Sequence, residues 1–208
     1  MCDSFPVGAI KTGLLFSAEI VTTVARAMVE LSDHVDTRMA LVVDPVMIAT
    51  TGSALLRADA VKLYERELFP LATVITPNLL EAGKLLRRSI TDFAGMRKAG
   101  KDLEKRYGVP VLLKGGHLDS DRAIDLLFFD DNVIDFQEPF LRDVATHGTG
   151  CTFSAAITAG LASGLRLEDA ISRAKKYVTG AIAERFRWLN ASGTSVDALN
   201  HFGQGRST

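Results

Sequence analysis

Residues 72–116 read ATVITPNLLEAGKLLRRSITDFAGMRKAGKDLEKRYGVPVLLKGG. A short apolar run, Ala72 to Thr76, is followed by an amphipathic stretch from Asn78 to Leu86 and a second from about Thr91 to Tyr107. Another apolar run, Val109 to Lys114, is then closed by Gly115 and Gly116. Runs this short and apolar suit strands buried on both faces, whereas the longer stretches space their apolar residues at helical intervals. Pro77 stands where it can open a helix without forfeiting a hydrogen bond. Strand, helix and strand in this order form the unit of a parallel sheet, because a parallel return needs a long crossover.

The alternation continues on both sides. Upstream, Val7 to Ile10 reads as a strand and Ser17 to Leu31 as a helix, with Ser17 as N-cap and Glu19 in the first turn. Met39 to Val43 is a strand stopped at Asp44-Pro45, and a loop with Thr50, Thr51 and Gly52 leads to a helix near Arg57 to Phe69. Downstream, Ala123 to Phe129 and Val133 to Glu138 form an antiparallel pair about the turn residues Asp130, Asp131 and Asn132. A glycine-rich turn, His147 to Gly150, then opens two helices, about Thr149 to Ser163 and Leu167 to Trp188. From Asn190 the chain is small and polar and is expected to be loosely ordered, which divides it into a domain over 1–189 and a tail over 190–208. The expected fold is α/β, a mainly parallel sheet flanked by helices.

The chain has 208 residues, enough to bury roughly 70% of its unfolded surface without a metal or disulfide staple. Its 24 Lys and Arg balance 25 Asp and Glu to a net charge of −1, which excludes the basic field of a non-specific nucleic-acid binder. No apolar stretch approaches the length of a membrane span, and the first residues lack the pattern of a secretory signal. Cys2 and Cys151 form no disulfide framework, so a cytoplasmic location is expected.

Ligands of parallel sheets bind at the carboxyl ends of the strands, which directs attention to the residues following each one. The most informative is Thr146 to Thr152, T-H-G-T-G-C-T. Its glycines permit a tight turn, and the free N–H groups of the following helix, with its dipole, make an anion cradle. Cys151 lies in that first turn, where positive potential favours thiolate; a small core cysteine reads equally well from the residues alone. His147 and Cys151 lack the second ligand pair that structural zinc needs. Asn78 and Glu81 share one helix face and could hold water about Mg²⁺ beside a phosphate, or could simply form a capping box. Asp44 is either a carboxylate at a binding edge or an Asp-Pro turn, and Lys114 either reaches a phosphate or ends a strand in solvent. No P-loop or dinucleotide fingerprint occurs.

Taken in order, AIKTGLL (9–15), VVDPVM (42–47), ATVITPNLLEA (72–82), VLLKGGHL (111–118) and THGTGCTFSAAITAGLASG (146–164) resemble the hydroxymethylpyrimidine/phosphomethylpyrimidine kinase family of thiamine biosynthesis, within the ribokinase-like superfamily. The resemblance runs from about Asp3 to about Ile182. It implies a three-layer ribokinase-like fold and ATP-dependent phosphorylation of 4-amino-5-hydroxymethyl-2-methylpyrimidine and then of its monophosphate. It also implies that Gly148, Thr149, Gly150 and Cys151 form the anion hole, with Cys151 assisting deprotonation of the substrate hydroxyl. Asn78 and Glu81 would organise Mg²⁺ near the ATP phosphates, with Asp44 in the same metal and phosphate region and Lys114 toward the nucleotide. Gly13, Leu14 and Val46 would wall the pyrimidine, and the family tendency is to dimerise.

Leu14 stands where the family usually has methionine, and Thr50 where it often has lysine. The family also begins with a strand, a glycine-rich A-G-S-D-x-S-G-G-A-G segment, a lid hairpin and a pyrimidine-binding glutamine, none of which precedes Pro6 here. Met1 is therefore expected to be internal to a longer functional polypeptide, with a new sheet edge where that strand would pair. Two other functions fit the residues: a pyridoxal or pyridoxine kinase, whose substrate also carries a hydroxymethyl group on a flat ring, and a non-catalytic remnant that binds nucleotide or a partner chain.

Overall fold

Leu41, Val43, Ile75, Val111 and Leu113 are buried on one side of a sheet, while Val42, Val74 and Leu112 are buried on the other. Side chains alternate across a strand, so apolar residues at consecutive positions require cover on both faces. The computed structural model describes residues 5–34, 39–48, 55–116, 118, 121–142, 144, 148–193 and 195–202. The expected loop over Thr50, Thr51 and Gly52 lies outside these residues, as do Cys2, Thr146 and His147.

The elements are β1 (Ala9–Thr12), α1 (Ala18–His34), β2 (Ala40–Val43), α2 (Ala58–Leu63), β3 (Val74–Ile75), α3 (Leu79–Leu86) and α4 (Phe93–Tyr107). They continue with β4 (Val111–Lys114), β5 (Arg122–Phe129), β6 (Asn132–Pro139), α5 (Thr149–Ala162), α6 (Leu167–Ala183), β7 (Phe186–Leu189) and β8 (Ser195–Ala198). Strands β1 to β6 form one sheet in sequence order, with β1 to β4 mutually parallel and β5 and β6 antiparallel. Each parallel connection steps one strand in the same direction, so crossovers of one hand put α1 to α4 on one face. Their buried residues, among them Val21, Leu79, Ala82, Met96 and Leu103, pack with Val43 and Leu113. The other face is covered by α5 and α6, through Phe153, Ile157, Ile171 and Val178 against Val42, Val74 and Leu112. The alternation of segments predicts the mainly parallel sheet with flanking helices, and the three layers are those that the family resemblance implies.

The β5–β6 hairpin closes on Asp130 and Asp131, both at positive φ (48° and 59°), between the paired residues Phe129 and Asn132. That is the two-residue turn whose twist matches the strands. Ser17 precedes α1, its hydroxyl 3.5 Å from the Ile20 amide.

Two elements differ from the sequence expectation. The helix read near Arg57 to Phe69 is α only to Leu63; it widens into a π-helical turn over Tyr64–Leu68 and tightens to 3-10 geometry over Phe69–Leu71. The wide turn lets Tyr64, Leu68 and Phe69 all be buried, with the Tyr64 hydroxyl donating to the Gly13 carbonyl at 2.9 Å. The last helix ends at Ala183 rather than Trp188, because Phe186 to Leu189 pair with Ser195 to Ala198. The Asp197 carboxylate, 1% exposed, is clamped by Arg187 at 2.7 Å and Arg185 at 3.3 Å. Beyond Asn190 the described chain is tied back at β8, where Leu199 is buried and the Asn200 amide donates to the Ala181 carbonyl, while 191–193, Ser195, Val196, His201 and Phe202 are exposed. Among the described residues no helix is long and apolar enough to cross a membrane.

Candidate functional site

At the carboxyl end of the parallel strands, Asp44, Thr76 and Lys114, from the ends of β2, β3 and β4, form a polar row with Asp125, which lies within the neighbouring antiparallel strand β5. Two-residue alternation from Val42, Val74, Leu112 and Leu127 aims all four at the α5–α6 face. Asp44 is 1% exposed. Its Oδ1 accepts from Lys114 Nζ at 2.9 Å and from the Thr76 hydroxyl at 3.1 Å, and its Oδ2 accepts from the Ser154 hydroxyl at 3.0 Å. A buried carboxylate persists only when it is so compensated. The reading of Asp44 as a mere turn residue is thus set aside, although the Val46 amide does reach back to the Asp44 carbonyl.

Lys114 is nearly enclosed rather than solvated, its side chain 13% exposed. Burial works against its charge, but the Asp44 and Glu81 carboxylates, the hydrogen bond to Asp44 and the more distant Asp125 outweigh that and hold the ammonium above its ordinary range. A β-carbon on Gly150 would stand 3.2 Å from Lys114 Nζ, which places the ammonium against the first turn of α5.

That first turn is opened by Gly148, whose φ of 85° is open to glycine and strained for other residues. No side chain caps it. The Thr152 amide bonds to the Gly148 carbonyl, so the amides of Thr149, Gly150 and Cys151 begin the helix without intrahelical partners. Cys151 is exposed at this end. The Ser154 hydroxyl lies 3.0 Å from both the Cys151 carbonyl and Asp44, fastening the helix start to the row.

Asn78 and Glu81 make the capping box. The Glu81 amide donates to Asn78 Oδ1 at 2.9 Å, and the Asn78 amide donates to Glu81 Oε2 at 2.8 Å. The other Glu81 oxygen accepts from the Met47 amide at 3.3 Å, tying the loop after β2 to α3. Burial is the main influence on this carboxyl, pushing it up to about 7 against the opposing pull of Lys114. A divalent cation would relieve that strain on the ionised form, and the donors nearby are hard oxygens of the kind Mg²⁺ takes. Among the described residues no three His, Cys, Asp or Glu converge as a cage. Magnesium would thus fit here through carboxylate, water and ligand phosphate.

Gly13 and Leu14 leave β1, and Val46 leaves β2, at this same end; Gly13 and Val46 are half-buried and Leu14 is 47% exposed. A cavity of about 530 Å³ runs along α5 and α6 past Ala155, Ala159, Arg173 and Tyr177 and reaches the first turn of α5 at Cys151 and Thr152; no residue of the polar row lines it.

Sequence reading misses Thr76, Ser154, Asp125 and Lys175. The signal for the last two is a charge where the pattern demands an apolar residue. Asp125 interrupts the strand AIDLLFF, and Lys175 continues the buried face of α6 after Ala170, Ile171 and Ala174.

The family model that matches residues 1–195 is described as phosphomethylpyrimidine kinase. A thiamine biosynthesis bifunctional protein of Geobacter sulfurreducens is 44% identical over 199 residues, covering 96% of this chain and 39% of that protein. A hydroxymethylpyrimidine/phosphomethylpyrimidine kinase of Rhizobium meliloti is 42% identical over 178 residues, covering 85% of this chain and 65% of its own length. The chain therefore spans less than two thirds of either relative. Among solved structures, a Staphylococcus aureus pyridoxal kinase in complex with AMP-PCP superposes with a TM-score of 0.80 at 33% identity, over 96% of this chain and 70% of that one. Sequence and fold agree: the chain belongs to the phosphomethylpyrimidine kinase family.

Proposed function

We propose that this chain carries the phosphoryl-transfer centre of an ATP-dependent kinase that phosphorylates 4-amino-5-hydroxymethyl-2-methylpyrimidine and then its monophosphate. The observation that carries the reading is the convergence of an uncapped, glycine-opened helix start with a buried ammonium held against it. Phosphoryl transfer asks the protein chiefly to position groups and neutralise charge. The amides of Thr149, Gly150 and Cys151 would receive the equatorial oxygens of the transferring group, and Lys114 would supply the positive charge beside them.

In the first step the substrate hydroxyl oxygen bonds to the γ-phosphorus, and the bond from that phosphorus to the bridging oxygen breaks, releasing ADP. The hydroxyl proton passes to the Cys151 sulfur. Asn78 and Glu81, with Asp44 nearby, would hold Mg²⁺ and its waters; when bound, the ion neutralises charge on the ATP phosphates. Gly13, Leu14 and Val46 would line the ring at the exits of β1 and β2. The family resemblance extends the reading to a cytoplasmic enzyme with a tendency to dimerise.

A second reading, pyridoxal kinase, is favoured by the superposition on an enzyme of that activity. ADP formation with each substrate, under the same ATP and Mg²⁺, separates the two. The assay is run on the 208-residue chain and on that chain preceded by the amino-terminal third of a relative. Pyrimidine mono- and diphosphate are the expected products. Phosphorylation of pyridoxal alone would reverse the ranking, and no turnover in either form would leave the remnant reading standing.

A further inference from the structure

The polar row contains a second ion pair that the proposed chemistry does not use. Asp125 lies directly opposite Lys114 in the β4–β5 register, and the two share a face of the sheet. Lys114 nonetheless bonds to Asp44, not to Asp125. Asp125 Oδ2 takes Lys175 Nζ from α6 at 2.6 Å, and Asp125 Oδ1 accepts the Gly115 amide at 3.0 Å. Both partners are buried, Asp125 at 4% and Lys175 at 8% exposure, and the Lys175 ammonium stands 6.0 Å from the centre of the Phe153 ring. Phe153 belongs to α5, so one lysine ties together the second helix of this layer, the first, and the residue that follows Lys114.

Asp125 is one carboxylate too many for Lys114. An uncompensated buried carboxylate facing an ammonium across a β ladder attracts it strongly in a medium of low polarity. It would draw Lys114 away from Asp44 and Gly150, and would cancel charge meant for an incoming anion. Lys175 removes that competition by neutralising Asp125 from the other side. The carboxylate is then free to serve as a neutral-paired acceptor for the Gly115 amide, fixing the chain just beyond Lys114.

We infer that Lys175 is a positioning residue for nucleotide binding: by neutralising Asp125 it keeps the Lys114 ammonium at Asp44 and Gly150, available to an ATP phosphate. The inference rests on the reading of that place as the phosphate site. It predicts that the Asp125–Lys175 pair matters through its neutrality and not through contact of Lys175 with the ligand.

The test is calorimetric titration of the 208-residue chain with AMP-PCP and Mg²⁺, with thermal melts run beside it. Lys175→Met is expected to weaken binding at least tenfold while the chain stays folded. Lys175→Arg and the paired variant Asp125→Asn/Lys175→Met are expected to bind within about threefold of wild type. Equal binding by wild type and Lys175→Met would overturn the inference alone, as would a tenfold loss in the paired variant, which would make Lys175 a direct ligand of the nucleotide. If Lys175→Met does not fold, the paired variant decides: retained affinity supports the inference, and a tenfold loss refutes it. A wild-type chain that binds no AMP-PCP overturns the phosphate site itself and this inference with it.

Discussion

Gly150 has no room for a side chain that would leave Lys114 where it is, since a β-carbon would sit 3.2 Å from the ammonium. The lysine tip must give way by a few tenths of an ångström, away from the point at which it meets the helix start. Gly150→Ala is therefore expected to preserve the fold, because alanine favours a helix, yet to weaken AMP-PCP binding about tenfold by calorimetry. The neighbouring residue separates binding from chemistry. Cys151 contributes its backbone amide to the cradle and its thiol to proton transfer, and Cys151→Ala removes only the thiol. Turnover in the coupled kinase assay is expected to fall by roughly two orders of magnitude or more, the usual worth of a positioned acid or base, with AMP-PCP affinity within threefold of wild type. A turnover that barely changes would make Cys151 structural.

At the scale of elements, the layers are held by close approaches that a residue-by-residue reading does not display. Gly100, midway along α4, lies where any β-carbon would overlap the Phe128 ring of β5. Gly100→Ala gains helix propensity of up to about 1 kcal/mol, but overpacking should dominate, for a net loss of about 1–3 kcal/mol read from the denaturant midpoint. The mainly parallel sheet with helices on both faces was legible because the apolar runs at Ala40–Val43, Val74–Ile75 and Val111–Lys114 can be satisfied only by cover on both faces, whereas the strand order was not. The hairpin was legible from its Asp-Asp-Asn turn. The strand pair at the carboxyl terminus was not, since Val178, Ala181, Ile182, Phe186 and Leu189 also fit helical spacing. What decides against the helix is the non-local clamp of Arg185 and Arg187 on Asp197. The same limit applies to the site. Asn78, Glu81, Lys114, Asp44 and the glycine turn could be named from local motifs, but Thr76, Ser154, Asp125 and Lys175 acquire meaning only when separate strands and helices bring them together. Where motif and cap compete, as at Glu81, geometry shows that the cap is made without consuming every oxygen lone pair.

Across the whole molecule, the charges buried between sheet and helices nearly cancel: Asp44 with Lys114, Asp125 with Lys175. Among the described residues Glu81 is the carboxylate left over, held by backbone amides and by the pull of a lysine already engaged, and burial lifts its pKa from 4.5 to about 7. A carboxyl with a raised folded pKa binds a proton more tightly in the folded chain than in the unfolded one. Its contribution to stability is full below pH 4.5 and is lost as pH rises through about 7. A shift of that size corresponds to a loss of order 3 kcal/mol. Lys114 acts in a different window: its pKa is raised too, so its contribution persists through neutrality and disappears only above its ordinary range. Glu81→Gln removes the titration while its amide oxygen can still accept the Asn78 amide at the start of α3; the Met47 amide loses its acceptor, a cost that is the same at every pH, so the pH dependence alone reports the ionisation. Denaturant unfolding at pH 5 and pH 8 is expected to show the wild type losing stability relative to Glu81→Gln, with the gap opening between pH 5 and 7. Parallel curves for the two proteins would mean that Glu81 ionises at its ordinary value and that the buried charges are balanced without it. The expected divergence would instead show that the fold keeps a costly carboxylate at the end of its sheet, beside the cradle where a cation and a phosphate are proposed to meet.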